Sequence, residues 1–120
     1  MAAGIRICLN LNQCRGPLKL VDGLQIAFEK AHELAGVNAL QFKYWRFDDG
    51  TANVHSDLSE SHCSGGTYLI DKHVALEVHM CHEKADNTDL ARSLARNLKD
   101  VFDPADFHPM DWMELSWKSR

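Results

Sequence analysis

Hydrophobic and polar residues alternate along several stretches of the chain, and this alternation predicts strands. In IRICLNL, residues 5–11, every second residue is aliphatic. Because successive side chains of a strand point to opposite faces, this stretch is expected to bury one face and expose the other. Further strands are predicted at residues 40–47, 51–58, 67–70, 73–81 and 110–117.

Two stretches have helical spacing instead. In residues 17–36, apolar residues recur every three or four positions; Pro17 suits a first helical turn, and Gly36 suits the position just past the last one. In residues 86–102, leucines recur with the same spacing, and early aspartates favour the positive end of a helix. The predicted order is strand, helix, three or four strands, helix, strand.

The connections between these elements differ in how clearly the sequence defines them. Asp49-Gly50 is a strong signal for a tight hairpin in the middle of the chain. Residues 59–66, SESHCSGG, are predicted to form a loop. Asp71-Lys72 fits either a turn between two short strands or a kink in one long strand.

This order of elements predicts an α+β fold, with residues 1–120 forming a single domain. A mixed or mostly antiparallel sheet of five or six strands would carry both helices on one face. The order resembles that of ferredoxin-like domains and of the tautomerase superfamily. Tautomerases use an amino-terminal proline, whereas Ala2 follows Met1 here, so the resemblance concerns the layout and not the mechanism.

Composition and charge narrow the possible functions. Hydrophobic residues make up 45% of the 120 residues and charged residues 25%, as in ordinary globular domains. A net charge of −4 without a basic run disfavours nucleic-acid binding. No apolar run approaches the ~20 residues of a membrane span, and no signal peptide is predicted. Four scattered cysteines without a C-x-x-C pair favour free thiols in a reducing cytoplasm.

Helices on one face of the sheet would leave the other face open, and the alternation predicts which residues that face carries. They are the residues interleaved with the aliphatic set: Arg6, Cys8, Asn10, His73, Glu77, His79, Cys81, Trp112, Glu114 and Ser116. Either Tyr44 or Trp45 would join them, depending on register. The opposite set of the last strand, Met113, Leu115 and Trp117, is expected to join the core.

The open face is therefore the predicted functional site. We expect it to bind a small molecule, in a pocket on the face or between subunits, through Arg6, Tyr44, Trp45, His73, Glu77, His79, Trp112 and Glu114. Glu77 or His79 could act as a base if the pocket shifts its pKa. The alternative is that these are the ordinary polar residues of a solvent-facing strand. The sequence predicts no particular cofactor.

Two other functions remain open at this point. An open sheet face rich in aromatic residues is often covered by a second copy, so we expect a homo-oligomer, and a purely structural interaction module is one alternative. A transition-metal site is the second alternative. Glu77, His79 and Cys81, joined by His55 or Cys63, could supply three or four ligands, although no spacing matches a known zinc motif.

Overall fold

Seven antiparallel strands and two α-helices make up the described chain, residues 2–59 and 61–120, in a computed structural model. The strands are β1 (Ala3–Cys14), β2 (Ala39–Arg46), β3 (Ala52–Leu58), β4 (His62–Tyr68), β5 (His73–Cys81), β6 (Pro104–Asp106) and β7 (Trp112–Lys118). The helices are α1 (Leu24–Ala35) and α2 (Thr88–Phe102). Neither helix has the length and apolar character that crossing a bilayer demands.

The strand order across the sheet is β2-β3-β4-β5-β1, and both β6 and β7 pair with the remaining side of β1. All pairings are antiparallel. The predicted α+β fold with a mostly antiparallel sheet is therefore confirmed. The sheet has seven strands instead of five or six because β6 spans only three residues, which is too short to show alternation in the sequence.

The core lies between the sheet and the helices. The aliphatic residues of β1 and β5 are at most 4% exposed: Ile5, Ile7, Leu9, Leu11, Val74, Leu76, Val78 and Met80. α2 packs on β1 and β5, while α1 packs on α2 and β2, so both helices cover the same face, as predicted. Each large aliphatic side chain buried in this way contributes about 1.5–3 kcal/mol.

One turn corrects the sequence prediction, and a second turn decides between two alternatives that the sequence left open. The helix predicted at 17–36 is divided by Gly23, whose φ of 101° is left-handed, and α1 begins only after it. A short 3₁₀ turn precedes this glycine. Asp71 and Lys72 belong to a turn between β4 and β5, in which Lys72 has a φ of 49°; the two strands are therefore separate.

The prediction of a loop at 59–66 is wrong, because β4 begins at His62. The glycines that suggested a loop lie inside the strand. A Cβ atom on Gly65 would collide with the carbonyl oxygen of Ala75 in β5, so glycine is required by the close approach of the two strands. Cys63, expected in a flexible loop, is fully buried on the helix side.

The phase of β7 is opposite to the prediction. Trp112 and Glu114 pair with the buried residues Leu9 and Ile7 of β1, so they lie on the helix side. The residues expected in the core lie on the open face: Met113, Leu115 and Trp117. Alternation divides a strand into two sets but does not say which set faces the core. Here, Arg92 of α2 reaches over the sheet edge to Glu114, at 2.8 Å, and favours the polar set on the helix side.

Strand β2 resolves the alternative between Tyr44 and Trp45. Trp45 lies on the open face and is 70% exposed. Tyr44 lies on the helix side, where its hydroxyl donates a hydrogen bond to Glu29 of α1 at 2.8 Å. Burial and this neighbouring carboxylate raise the pKa of Tyr44. Tyr44 is thus a link between the edge strand and α1 and not part of an open-face site.

His32 is a buried polar link that the sequence reading missed. Its Nδ1 lies 2.8 Å from the carbonyl oxygen of Phe28, and its Nε2 lies 2.7 Å from the hydroxyl of Ser56 in β3. A neutral ring satisfies both contacts, with Nδ1 donating and Nε2 accepting. Burial lowers the pKa of His32, so α1 is held to the sheet through the neutral form.

The lowered pKa of His32 predicts a loss of stability in mild acid. In the unfolded chain this histidine titrates near pH 6.5, and the folded state takes up its proton only at lower pH. Between the two values the unfolded state binds more protons, so the free energy of unfolding falls as pH falls. Urea unfolding between pH 7.5 and 5.5 should show a steeper fall for the wild type than for His32→Gln, by at most about 1.4 kcal/mol per pH unit. Parallel slopes for the two proteins would contradict this prediction.

Candidate functional site

The open face brings residues of three neighbouring strands together at its centre. Arg6 of β1 lies directly opposite His79 of β5, and Cys8 lies opposite Glu77. On the other side of β5, His62 of β4 lies opposite His79. Cross-strand partners on one face are neighbours in space, so the predicted grouping of Arg6, Glu77 and His79 is present in the structure.

Arg6 and Glu77 form an ion pair in which Arg6 Nε lies 3.1 Å from Glu77 Oε1. Both side chains are partly exposed, so solvent screens their attraction and the pair contributes little to stability. The pair does place one positive and one negative group side by side on the face. Burial, and secondly the charge of Glu77, raise the pKa of the Cys8 thiol between them.

His79 occupies the most crowded position on this face. The centroid of its ring lies 5.1 Å from that of His62 and 5.5 Å from that of Trp117. Burial lowers the pKa of His79, and the nearby His62 and Arg6 lower it further, while Glu77 opposes the shift. The ring is therefore neutral at neutral pH, the state in which a histidine can accept a proton.

A row of polar side chains continues from His79 toward the edge of the sheet. The ring of His62 stacks on that of His55, with 6.0 Å between the centroids. His55 Nε2 lies 2.8 Å from Asp57 Oδ1, and this contact, together with a hydrogen bond from Gln41 and the charge of Lys43, lowers the pKa of Asp57 to about 2. The sequence reading missed His62 as a neighbour of the site because it placed residues 59–66 in a loop, and it missed Asp57 because the pairing of β3 with β4 is not visible in the sequence.

Trp117 covers one side of the site, although it was predicted to be a core residue. Its indole lies on Gly4 of β1, where a Cβ atom would stand 2.6 Å from Trp117 Cζ2 and from the carbonyl oxygen of Met80. Glycine at this position thus allows the indole to lie flat on the sheet next to His79. The alternation around Trp117 could have located it, but only with the opposite choice of phase.

A hollow of about 430 Å³ lies beside the Arg6–Glu77 pair. Among the residues that line it are Cys8, Asn10, Ala75, Glu77, Asp111 and Met113. Its volume is within the range of roughly 300–1,000 Å³ typical of small-molecule sites. Larger grooves exist elsewhere on the surface, but this hollow combines a mainly apolar lining with acidic groups.

Asp111 is the second acidic group of the hollow. It is buried and accepts hydrogen bonds from the backbone N–H of His108, at 2.9 Å, and from the Asn10 amide, at 3.0 Å. These two donors lower the pKa of Asp111. Its carboxylate is therefore ionised at neutral pH, and the carboxylates of Asp111 and Glu77 together form the acidic wall of the hollow.

The remaining predicted site residues lie outside this hollow. His73 is on the open face, where its Nδ1 lies 3.0 Å from Asn12 Oδ1, and Trp45 is on the exposed edge strand. The assignment of Tyr44, Trp112 and Glu114 to the open face is wrong, since all three lie on the helix side. There the indole N–H of Trp112 donates to Glu114 at 2.9 Å.

The ligand set of the metal hypothesis does not assemble. Cys63 lies on the buried side of the sheet, and burial strongly raises the pKa of its thiol. Within residues 2–59 and 61–120, no three histidine, cysteine or acidic side chains are arranged to hold a metal ion.

Comparisons with known proteins agree with this architecture. Residues 5–105 match the family described as S-adenosylmethionine decarboxylase. The fold is similar to that of the crystal structure of the adenosylmethionine decarboxylase from Aquifex aeolicus VF5, with a TM-score of 0.77. That similarity covers 97% of this chain and 89% of the other at 15% identity, and therefore concerns the fold. No curated protein matches the sequence.

The environment of His79 predicts that its ring takes up a proton at a lower pH than a free histidine does. We expect a midpoint below 6.5 in an NMR titration of its ring signals, assigned with a His79→Asn variant. Replacing Glu77 by Gln removes the one neighbour that raises this pKa, so the midpoint should fall further. The same change at the exposed Glu83 should leave it unaltered. A midpoint at or above 6.5 in the wild type would refute the assigned environment.

Proposed function

The chain belongs to the S-adenosylmethionine decarboxylase family, and we propose that it binds S-adenosylmethionine in the hollow of its open face. The observation that carries the proposal is the pair of carboxylates, Glu77 and Asp111, in a mainly apolar hollow of about 430 Å³. A site of this kind suits a ligand that is both positively charged and largely apolar.

The charges of the ligand match those of the hollow. S-adenosylmethionine has two positive groups, a sulfonium and an ammonium, and one carboxylate. Opposite charges at contact distance attract with about 1 kcal/mol in water and several times more at a partly buried site. Glu77 and Asp111 supply the two negative partners.

The apolar part of the hollow suits the remainder of the ligand. Met110 and Met113 contribute flexible thioether side chains to its wall. Methionine adapts to irregular shapes, and its sulfur makes favourable contacts with aromatic rings. An adenine ring can therefore pack on these side chains while the charged groups reach the acidic wall.

A proton-transfer role for Glu77 and His79 is the catalytic extension of this proposal. His79 is held in its neutral form by its surroundings, and Glu77 lies two residues away on the same face. Glu77 lines the hollow, where it can accept a proton from a ligand, and His79 is the next side chain along the same face. Decarboxylation of an amino acid additionally requires an electron sink, such as the imine that a carbonyl group would form with the amine of the ligand, and neither Glu77 nor His79 supplies one.

A cytoplasmic location accompanies this proposal. The four cysteines are free thiols, two of them buried and two partly buried. Unpaired thiols are typical of proteins in a reducing compartment.

We also propose that a second copy of the chain covers the rim of the open face. Trp45, Met113 and Leu115 are 58–70% exposed on this face. Exposed apolar side chains on an otherwise polar sheet favour association, and symmetric dimers are the commonest result. The hollow would then lie at or near the subunit interface.

The acidic wall of the hollow can be tested by ligand binding. By isothermal titration calorimetry, the wild type should bind S-adenosylmethionine about tenfold more tightly than S-adenosylhomocysteine, which lacks the sulfonium charge. Glu77→Gln should weaken S-adenosylmethionine binding about tenfold, because the ligand loses a negative partner. Glu83→Gln is the matched control and should bind like the wild type. Unchanged affinity in Glu77→Gln, or no binding by the wild type, would disprove the proposed site.

The proposed dimer contact can be tested at the exposed apolar residues Trp45, Met113 and Leu115. Leu115→Lys places a charge among the exposed apolar residues and should shift the protein from dimer to monomer in sedimentation velocity experiments. Ile70→Lys is the control, since Ile70 is 95% exposed in the turn between β4 and β5, and it should leave the mass unchanged. A monomeric wild type at all concentrations would refute the interface.

A further inference from the structure

Three buried nitrogen atoms on the open face have no hydrogen-bond partner within the described chain: Arg6 Nε, His79 Nε2 and Trp117 Nε1. Arg6 Nε is close to Glu77, at 3.1 Å, but the two attract as charges without the alignment of a hydrogen bond. Buried polar atoms in proteins are nearly always paired. An unpaired buried atom therefore calls for an explanation, and here three occur together.

The three side chains are neighbours on adjacent strands. Arg6 of β1 lies opposite His79 of β5. On the other side of β1, Trp117 of β7 lies opposite Gly4, two residues before Arg6 on the same face. The ring centroids of His79 and Trp117 are 5.5 Å apart. The unpaired nitrogen atoms thus come from one cluster and not from scattered positions.

We propose that this cluster binds the carboxylate of S-adenosylmethionine, an inference that rests on the ligand proposed above. The indole N–H and the guanidinium can only donate hydrogen bonds, so their partner has to be an acceptor. A carboxylate is an acceptor with two oxygen atoms, and the positive charge of Arg6 favours it over a neutral group.

The Arg6–Glu77 pair also fits a ligand whose carboxylate faces the cluster. An amino acid has its ammonium and its carboxylate on one carbon atom. Arg6 and Glu77 present a positive and a negative group 3.1 Å apart. The ammonium faces Glu77 at the edge of the hollow, and the carboxylate faces Arg6 and the other two nitrogen donors.

Access to the cluster requires the indole of Trp117 to rotate, because the nitrogen atoms are out of contact with solvent. This rotation breaks no hydrogen bond, since the indole nitrogen makes none. It also leaves the pairing of β7 with β1 intact, because that pairing involves the backbone. The movement costs the contacts of the indole with Gly4 and His79, and in exchange its N–H gains an acceptor on the ligand.

The test compares S-adenosylmethionine with decarboxylated S-adenosylmethionine, which differs only in lacking the carboxylate. In calorimetry, the wild type should bind the carboxylated ligand at least tenfold more tightly. Trp117→Phe keeps an aromatic ring but removes the N–H. It should weaken binding of S-adenosylmethionine about tenfold and leave the affinity for the decarboxylated ligand unchanged.

Two further variants complete the experiment. Tyr68→Phe is the matched control, because it removes a polar hydrogen from an exposed aromatic residue of the open face outside the cluster, and both affinities should equal those of the wild type. Arg6→Gln should also reduce the preference for the carboxylated ligand. If circular dichroism shows that Trp117→Phe is unfolded, the ligand preference of Arg6→Gln tests the carboxylate subsite instead.

The outcomes separate this inference from the proposed function. If the wild type binds both ligands equally, the carboxylate subsite is refuted and the proposed site stands. If it binds neither, both are refuted. If Trp117→Phe changes the oligomeric mass but not the ligand preference, the nitrogen atoms meet a second copy of the chain, and the subsite is again refuted.

Discussion

The pairing of β1 with β5 is the constraint on which the rest of the structure depends. Its register sets Ile5 opposite Met80 and Leu11 opposite Val74 on the side of the helices. The same register necessarily sets Arg6 opposite His79 on the other side. Since a slip of one residue would exchange the two faces, burying the aliphatic set also assembles the candidate site. Core and site are the two sides of one ladder of hydrogen bonds.

The site combines groups of both charges with neutral, desolvated ones. The partly exposed Arg6–Glu77 pair adds little to stability. It does place one positive and one negative group next to each other at defined positions on the face. His79 stays neutral beside it because burial deprives a protonated ring of solvent, and because a proton would add a positive charge close to His62 and Arg6. Opposed charges, a neutral base and unpaired donors within one small area are suited to a zwitterionic ligand.

Family membership and geometry contribute different parts of the functional argument. The order of strands and helices resembles several unrelated families, and such a layout does not determine a reaction. The family match supports the proposed identity of the ligand. The structure supplies the hollow, the acidic wall and the cluster of donors, and these were not visible as a motif in the sequence.

The sequence alone was sufficient for the alternating strands, the two helices and the faces of β1 and β5, because local periodicity and burial act there in the same direction. It therefore placed Arg6, Glu77 and His79 together on the face away from the helices. For strands that lie at the sheet edges or contain glycines, the local sequence pattern does not predict the tertiary contacts. In β7 the observed phase lets Trp117 pack on Gly4 and Glu114 meet Arg92, and the course of β4 depends on the close approach of Gly65 to β5. Contacts between residues distant in sequence, not the pattern of either segment, thus brought Trp117 and His62 to the site.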